Sequence, residues 1–69
     1  MKRLRELTDP SEIKQGMLLL TVDRDHNESV DLIEGIDNGK VYSYDHTGYG
    51  SIEPLNTFLT DYLVVYEIL

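Results

Sequence analysis

The sequence predicts an all-β fold, a small five-stranded barrel with short helical turns. The first reason is the dipeptide Asn38-Gly39, which stands between two runs rich in β-branched and tyrosine residues, 29–36 and 40–45. Asn-Gly is typical of the type I′ turn, whose twist matches that of paired strands, so a β-hairpin is predicted. The second reason is that further short strand-like runs follow one another with turn residues between them. Closing five such strands into a barrel would remove exposed strand edges.

The first half of the chain predicts a helical turn, a strand and a loop before this hairpin. Asp9 can cap a helix, Pro10 suits the first helical position, and Glu12 stands where a capping box requires an acid. Because Gly16 follows soon afterwards, we expect only a short helical turn near residues 10–15. The apolar run 17–22 then predicts a strand, and the polar residues 23–28 predict a loop.

The second half predicts two more strands with a helical turn between them. His46-Thr47-Gly48 is typical of a turn and leads into a short strand at 49–52. Pro54 begins a helical turn near residues 54–60, and residues 62–69 form the last strand. We expect the core to contain one residue or two from each element: Val22, Val30, Leu32, Val41, Ile52, Phe58, Leu63 and Val65.

Length and composition predict one small domain, with an N-terminal extension at residues 1–8 and the barrel at residues 9–69. The chain has no cysteine, which excludes disulfides and thiolate metal sites. No apolar run follows the basic residues at the start as in a secretory signal, and none approaches the length of a membrane span. We therefore expect a cytoplasmic protein.

The charge is distributed unevenly along the chain. Residues 1–14 have a net charge of +1. Because the whole chain has a net charge of −7, the remaining residues carry −8. A surface this acidic repels phosphate backbones, which argues against direct nucleic-acid binding. The same charge would attract a basic surface on another protein.

Several local patterns resemble those of SH3-like small barrels. They are Ile13-Lys14-Gln15-Gly16-Met17, the hairpin with Gly39-Lys40-Val41-Tyr42, and a helical turn that ends at Phe58, which together cover residues 10–69. Such barrels occur in small bacterial and phage proteins. The resemblance implies a scaffold that binds peptides, proteins or nucleic acid and seldom catalyses a reaction. The chain has no tryptophan, so the proline-binding motif of signalling SH3 domains is not present.

No catalytic residues or cofactor are predicted. The chain lacks a cysteine nucleophile, a G-x-S-x-G motif and a P-loop. Asp45 and His46 are adjacent on a strand and point to opposite faces, which argues against a triad with Ser43 or Ser51. A partial match to a calcium loop lacks the glycine at its sixth position, where Glu28 stands, so no metal is expected. Its oxygen-bearing residues would be Asp23, Asp25, Asn27, Asp31 and Glu34.

The tyrosines are the candidates for a binding surface. Tyr42 and Tyr44 are two residues apart on one strand and share a face, and Tyr49 could join them across the second turn. They would either point into the barrel or form an aromatic surface beside Asp37 and Asp45, suited to a protein partner.

The last strand predicts self-association because it is apolar on both sides. One face would fill the barrel, and the other would be covered by Leu4 and Leu7 or by a second copy of the chain. A homodimer is therefore expected through one face of this strand: Tyr62, Val64, Tyr66 and Ile68.

Taken together, these features predict a non-enzymatic protein-binding module whose acidic surface engages a basic partner, such as a phage or bacterial accessory or inhibitor protein. Two other functions stay open. One is an acidic mimic of nucleic acid that blocks a nucleic-acid-binding protein. The other is an oligomer that binds a small molecule between its subunits.

Overall fold

The computed structural model describes residues 3–69, which form an antiparallel sheet with short helical turns. Helix α1 is Leu55–Phe58, and 3-10 turns lie at Pro10–Glu12 and Leu59–Asp61. The predicted all-β class and both helical turns are confirmed. Over residues 3–69 the strands are β1 (Leu4–Glu6), β2 (Leu18–Val22), β3 (Glu28–Asp37), β4 (Lys40–Asp45), β5 (Gly50–Pro54) and β6 (Val64–Ile68).

The sheet is open and has more strands than predicted. Within residues 3–69 it contains six strands in the order β1-β6-β2-β3-β4-β5, each antiparallel to its neighbours. The extra strand is β1, where the N-terminal extension pairs with β6 and places Leu4 opposite Ile68. Strands β1 and β5 are the two edges, so the prediction of a five-stranded barrel is not confirmed.

The β3–β4 hairpin is formed as the sequence predicts. Asn38 and Gly39 both have positive φ, 50° and 72°, as a type I′ turn requires, and Asp37 pairs with Lys40. Further along, the register shifts between Ile33 and Gly35. This bulge inserts one residue into β3, so that both Ile33 and Ile36 belong to the buried side of the sheet.

One face of the sheet, called here the inner face, carries the core. Leu19, Ile33, Val41 and Val65 are buried on four successive strands. Phe58 from α1 is fully buried against them, and its ring lies 5.3 Å from that of Tyr62. Leu7 and Ile13, which flank the first 3-10 turn, are buried in the same cluster. The N-terminal segment and α1 thus cover the inner face.

The predicted core was partly wrong because apolar residues occupy both faces of β2 and β3. Val41, Phe58 and Val65 are buried as predicted, and Val22 is half-buried. The other predicted core residues are exposed: Val30, Leu32, Ile52 and Leu63. On β3 the inward positions are Asp31 and Ile33, one residue away from the predicted ones, and a shift of one residue exchanges the faces of a strand.

The N-terminal segment is fixed to the sheet by polar contacts. Its capping box is formed as predicted: the Ser11 N–H donates to the Asp9 carboxylate (2.9 Å), and the Asp9 N–H donates to the Glu12 carboxylate (3.0 Å). Arg5 joins this turn to β6 by contacting Glu12 at 2.7 Å and Glu67 at 2.8 Å. Among residues 3–69, no helix has the length and apolar character needed to cross a membrane.

Candidate functional site

The outer face of the sheet, opposite the core, carries two neighbouring rows of apolar side chains. In one row Leu18 pairs with Leu32, and Leu32 pairs with Tyr44. Leu4 and Ile68 pair at the other end of this row. In the next row, residues Tyr66 and Val30 flank Leu20 on its two sides. Directly opposed residues share a face, so these side chains form one surface. We call it the apolar band: Leu4, Leu18, Leu20, Val30, Leu32, Tyr44, Tyr66 and Ile68.

Much of the apolar band is open to solvent. Leu4 is 51% exposed, Leu18 40%, Leu32 44% and Tyr44 43%. Ile52 lies on the edge strand β5 and pairs with Tyr42 on β4. It is 62% exposed and extends the apolar surface onto β5. Scattered apolar side chains are normal on a protein surface, but a contiguous patch of this kind marks an interaction site.

Carboxylates border the apolar band, and we call these residues the acidic rim: Glu6, Glu28 and Glu34. Glu6 lies opposite Tyr66, and Glu28 lies opposite Val22. Glu34, at the bulge, shares a shallow hollow with Tyr42 and Tyr44. All three are exposed, and within residues 3–69 the ion pairs are those of Arg5 with Glu12 and Glu67. Among the residues that the structure describes, Lys14 shares a hollow with Leu18, and Lys40 lies at the hairpin turn.

The structure divides the predicted tyrosine site between two surfaces. Tyr42 and Tyr44 lie on the outer face, as residues of one strand that share a side. Tyr49 is highly exposed in the turn before β5, and its carbonyl accepts the Asp45 N–H at 2.9 Å. Tyr49 and Asp45 both line a polar pocket on the other side of the sheet. Asp37 is exposed at the end of the hairpin.

The predicted self-association residues are divided in a similar way. Val64, Tyr66 and Ile68 alternate along β6 and lie on the outer face, each half-buried. Tyr62 precedes the strand and turns to the core side, where its hydroxyl donates to the Glu53 carboxylate at 3.2 Å. Leu7 is buried in the core, whereas Leu4 pairs at the sheet edge and stays exposed.

A polar pocket of about 200 Å³ opens at one end of the inner face. Asp31 lies in it, buried, and its carboxylate accepts from the hydroxyls of Ser29 (3.0 Å) and Thr21 (3.3 Å). Asp45 lies directly opposite Asp31 on β4. The walls include Ser51 and Tyr62, and the residues that line the pocket carry several acids and no lysine or arginine.

Burial and hydrogen bonding act in opposite directions on the carboxylates of this end of the sheet. Burial raises the pKa of Asp31, although the bonds from Ser29 and Thr21 oppose it and the charge of Asp45 adds to it. Burial likewise raises the pKa of Glu53, and it raises that of Tyr62, next to this carboxylate. The half-buried Asp45 differs, because the Thr47 hydroxyl lowers its pKa, helped by the N–H groups of Tyr49 and Thr47.

The partial calcium loop is not assembled into a metal site. Asp23 uses one carboxylate oxygen to accept the N–H groups of Asp25 and Asn27, both at 2.9 Å. Asp31 and Glu34 stand on opposite sides of β3, one in the polar pocket and the other beside Tyr42. In the part of the chain that the structure describes, no three acidic or histidine side chains are placed to hold a metal ion.

The residues considered for a triad are also separated. Asp45 lines the polar pocket, whereas His46 lies against Leu20 and Val30 on the outer side. The hydroxyls of Ser43 and Ser51 bond each other at 3.1 Å on the inner side. This arrangement holds no nucleophile beside a base and offers a polar pocket and an apolar surface instead.

Comparison of the chain with protein-family models, curated proteins and solved structures finds no match in any of the three.

The apolar band was the main feature that sequence reasoning missed. Val30 and Leu32 were assigned to the core, and Leu18 and Leu20 were not singled out as surface residues. A signal was present, since residues 17–20 and 62–66 are apolar at consecutive positions and a domain of this size has too small a core to bury both sides of both strands.

Proposed function

We propose that this protein is a non-enzymatic protein-binding module that uses the outer face of its sheet as the interface. The observation that carries the proposal is the apolar band, which has exposed side chains on β1, β2, β3 and β4 and half-buried ones on β6. Aromatic and aliphatic side chains in a contiguous patch provide the buried centre of protein interfaces, and polar residues provide the rim. Of the three tyrosines predicted for a binding surface, Tyr44 belongs to the apolar band, Tyr42 lies next to it on the outer face, and Tyr49 lies outside it.

The partner is another protein with a basic surface, and the cytoplasm is the compartment proposed for the complex. The net charge of −7 supports this choice, because it would speed the approach of a positively charged partner. An accessory or inhibitor protein of phage or bacterial origin is the role we propose. The resemblance to SH3-like barrels remains part of the proposal, and helical turns before and after an antiparallel meander support it.

Self-association is a second candidate function of the same face. It is supported by Val64, Tyr66 and Ile68, which lie on the outer side of β6 and continue the apolar band. A two-fold axis would place this patch against itself, since such an interface uses the same surface twice.

Capture from a cell lysate on immobilised protein tests the proposal when the bait is varied. Leu32→Gln removes an apolar side chain from the centre of the band. Leu63→Gln is the matched control, because Leu63 is also an exposed leucine, 50% accessible, but lies outside the cross-strand rows of the band. Circular dichroism of both variants checks that the sheet is kept.

The expected result is a protein that the unchanged chain and the Leu63→Gln variant retain and the Leu32→Gln variant loses. Equal capture by all three baits would exclude the outer face as the interface. Recovery of a metabolite and no protein would overturn the proposed function in favour of small-molecule binding.

A further inference from the structure

From the arrangement of the acidic rim around the apolar band, we infer that the occupant of the outer face is an apolar segment flanked by lysine or arginine side chains. This inference rests on the proposed function and names the chemistry of the partner. It concerns the face opposite the core, and of the acidic rim Glu28, at the end of β3, also lines the polar pocket.

The three carboxylates of the acidic rim lie at different borders of this face. Glu6 ends the row that contains Tyr66, Leu20 and Val30. On β3, Glu28 lies two positions before Val30, and Glu34 lies two positions after Leu32. The carboxylates therefore border the apolar band on different sides, and a segment that covers its centre would end near them.

The charges of the acidic rim are not used within the fold. Among residues 3–69, Glu6, Glu28 and Glu34 make no ion pair, and the arginine nearest to Glu6, Arg5, contacts Glu12 and Glu67 instead. Burying an unpaired charge at the border of an interface is unfavourable, whereas an opposite charge on the partner makes it a specific contact. A partner with lysine or arginine at the border of its apolar surface satisfies all three carboxylates.

A second copy of this chain fits the face less well. It would bring the same three carboxylates to the border and a net charge of −7 of its own. Like charges at an interface disfavour the pairing and are screened by salt. The two occupants therefore predict opposite salt dependence: salt weakens binding of the basic segment and strengthens self-association.

The test uses two synthetic amphipathic helical peptides with the same leucine face, one with lysine and the other with glutamate at the polar positions. Fluorescence anisotropy measures their binding to the full chain at low and at high salt. We expect the lysine peptide to bind the unchanged chain, with an affinity that falls as salt rises. Its affinity for the Leu32→Gln variant should be lower by about tenfold or more. The glutamate peptide should not bind.

A matched pair of double variants tests the acidic rim. The double variant Glu28→Gln with Glu34→Gln should lower the affinity for the lysine peptide several-fold and make that affinity less dependent on salt. Asp25→Asn with Asp61→Asn changes the net charge equally at exposed positions outside the outer face and should have a smaller effect. If the two double variants lower the affinity equally, or if Leu32→Gln leaves the affinity unchanged, the peptide is attracted by net charge alone and the inference is overturned.

Light scattering of the protein without peptide tests the other occupant. A dimer mass that grows with salt and is lost in Leu32→Gln would assign the face to a second copy and overturn the inference. If the lysine peptide does not bind while lysate capture still depends on Leu32, the chemistry of the partner is wrong and the proposed function stands.

Discussion

The two faces of this sheet are built from similar strands but are covered differently. On the inner face Leu19, Ile33, Val41 and Val65 are buried beneath α1 and the N-terminal segment. On the outer face the neighbouring residues Leu18 and Leu32 are of the same chemical kind and about two-fifths exposed. Apolar side chains alone therefore do not decide which side of a strand becomes the core.

The inner face is not purely apolar, because it contains buried polar residues of β3 and β4. Asp31 and Ser43 are buried there, each with a hydrogen-bonding partner. A buried polar group is tolerated when it is hydrogen-bonded, so the covering elements, not the strand composition, set the inner side. Phe58 on α1 supplies much of that cover.

The largest expected effect comes from Phe58→Ala on the inner side. Removing this fully buried ring should lower the free energy of unfolding by about 3–5 kcal/mol, because a cavity is left in a small core. Urea unfolding monitored by circular dichroism measures it. Leu32→Ala on the outer face is the matched variant and should cost under about 1 kcal/mol. Similar losses in the two variants would contradict the assignment of the faces.

Gly39→Ala should have the next largest effect, since the hairpin turn fixes which residues face each side. Gly39 has a φ of 72°, where a residue with a Cβ is disfavoured by about 1–2 kcal/mol. The control is Gly35→Ala, because a Cβ there meets no atom within 4 Å and φ is not in the positive range. Thermal unfolding should show a lower midpoint for Gly39→Ala only; a comparable drop in both would argue against the turn geometry.

Asp31→Asn probes the polar end of the inner face through the pH dependence of stability. Because burial raises the folded-state pKa of Asp31 above its ordinary value of 3.8, its ionisation costs stability at neutral pH. That cost is relieved as the pH falls through the raised pKa and is gone below 3.8. The variant should be more stable than the unchanged chain at pH 7, and the difference should shrink between neutral pH and pH 4.

The control for this pH profile is Asp45→Asn. Hydrogen bonds lower the pKa of Asp45, and the largest contribution is that of the Thr47 hydroxyl. The Asp45 carboxylate therefore stabilises the fold above pH 3.8, and this contribution is lost as the pH falls further. Asp45→Asn should thus be less stable than the unchanged chain at neutral pH. Changes of the same sign in both variants would show that total charge, not burial, governs the profile.

Arg5→Gln should give the smallest effect. Arg5 holds the first 3-10 turn and β6 together through Glu12 and Glu67, but its side chain is 45% exposed. Exposed ion pairs contribute little and are screened by salt. Chemical unfolding should show a slight loss of stability at low salt that disappears at high salt. A large loss at high salt would mean that β1 and the capping box depend on this arginine for their position.

Local features of the fold could be predicted from the sequence because their causes are local. Asn38-Gly39 specifies its turn, and Asp9 with Glu12 specifies the capping box, through conformational preferences of adjacent residues. The strand at 40–45 is found with the predicted bounds. These elements needed no knowledge of the rest of the chain.

Which side chains of β2 and β3 point to the core could not be predicted in the same way. Leu18, Leu19 and Leu20 are identical, so alternation does not distinguish their two sides. On β3 the bulge after Ile33 shifts the alternation of inward and outward side chains midway along the strand. The bulge arises from the pairing of β3 with β4. The candidate site depends on these assignments, which explains why Tyr42 and Tyr44 were found on one surface while Tyr49 was not.

The edges of the sheet have a consequence for how this protein associates. Strand β1 is three residues long and carries Arg5 and Glu6, and β5 ends in Glu53 and Pro54. Short, charged and proline-containing edges resist the addition of further strands, which is the route to fibrous aggregates. The apolar band lies on the outer face from Leu4 on β1 to Tyr44 on β4, so it can be covered from one side by a single layer. Association of this kind ends with one complex and does not propagate strand by strand.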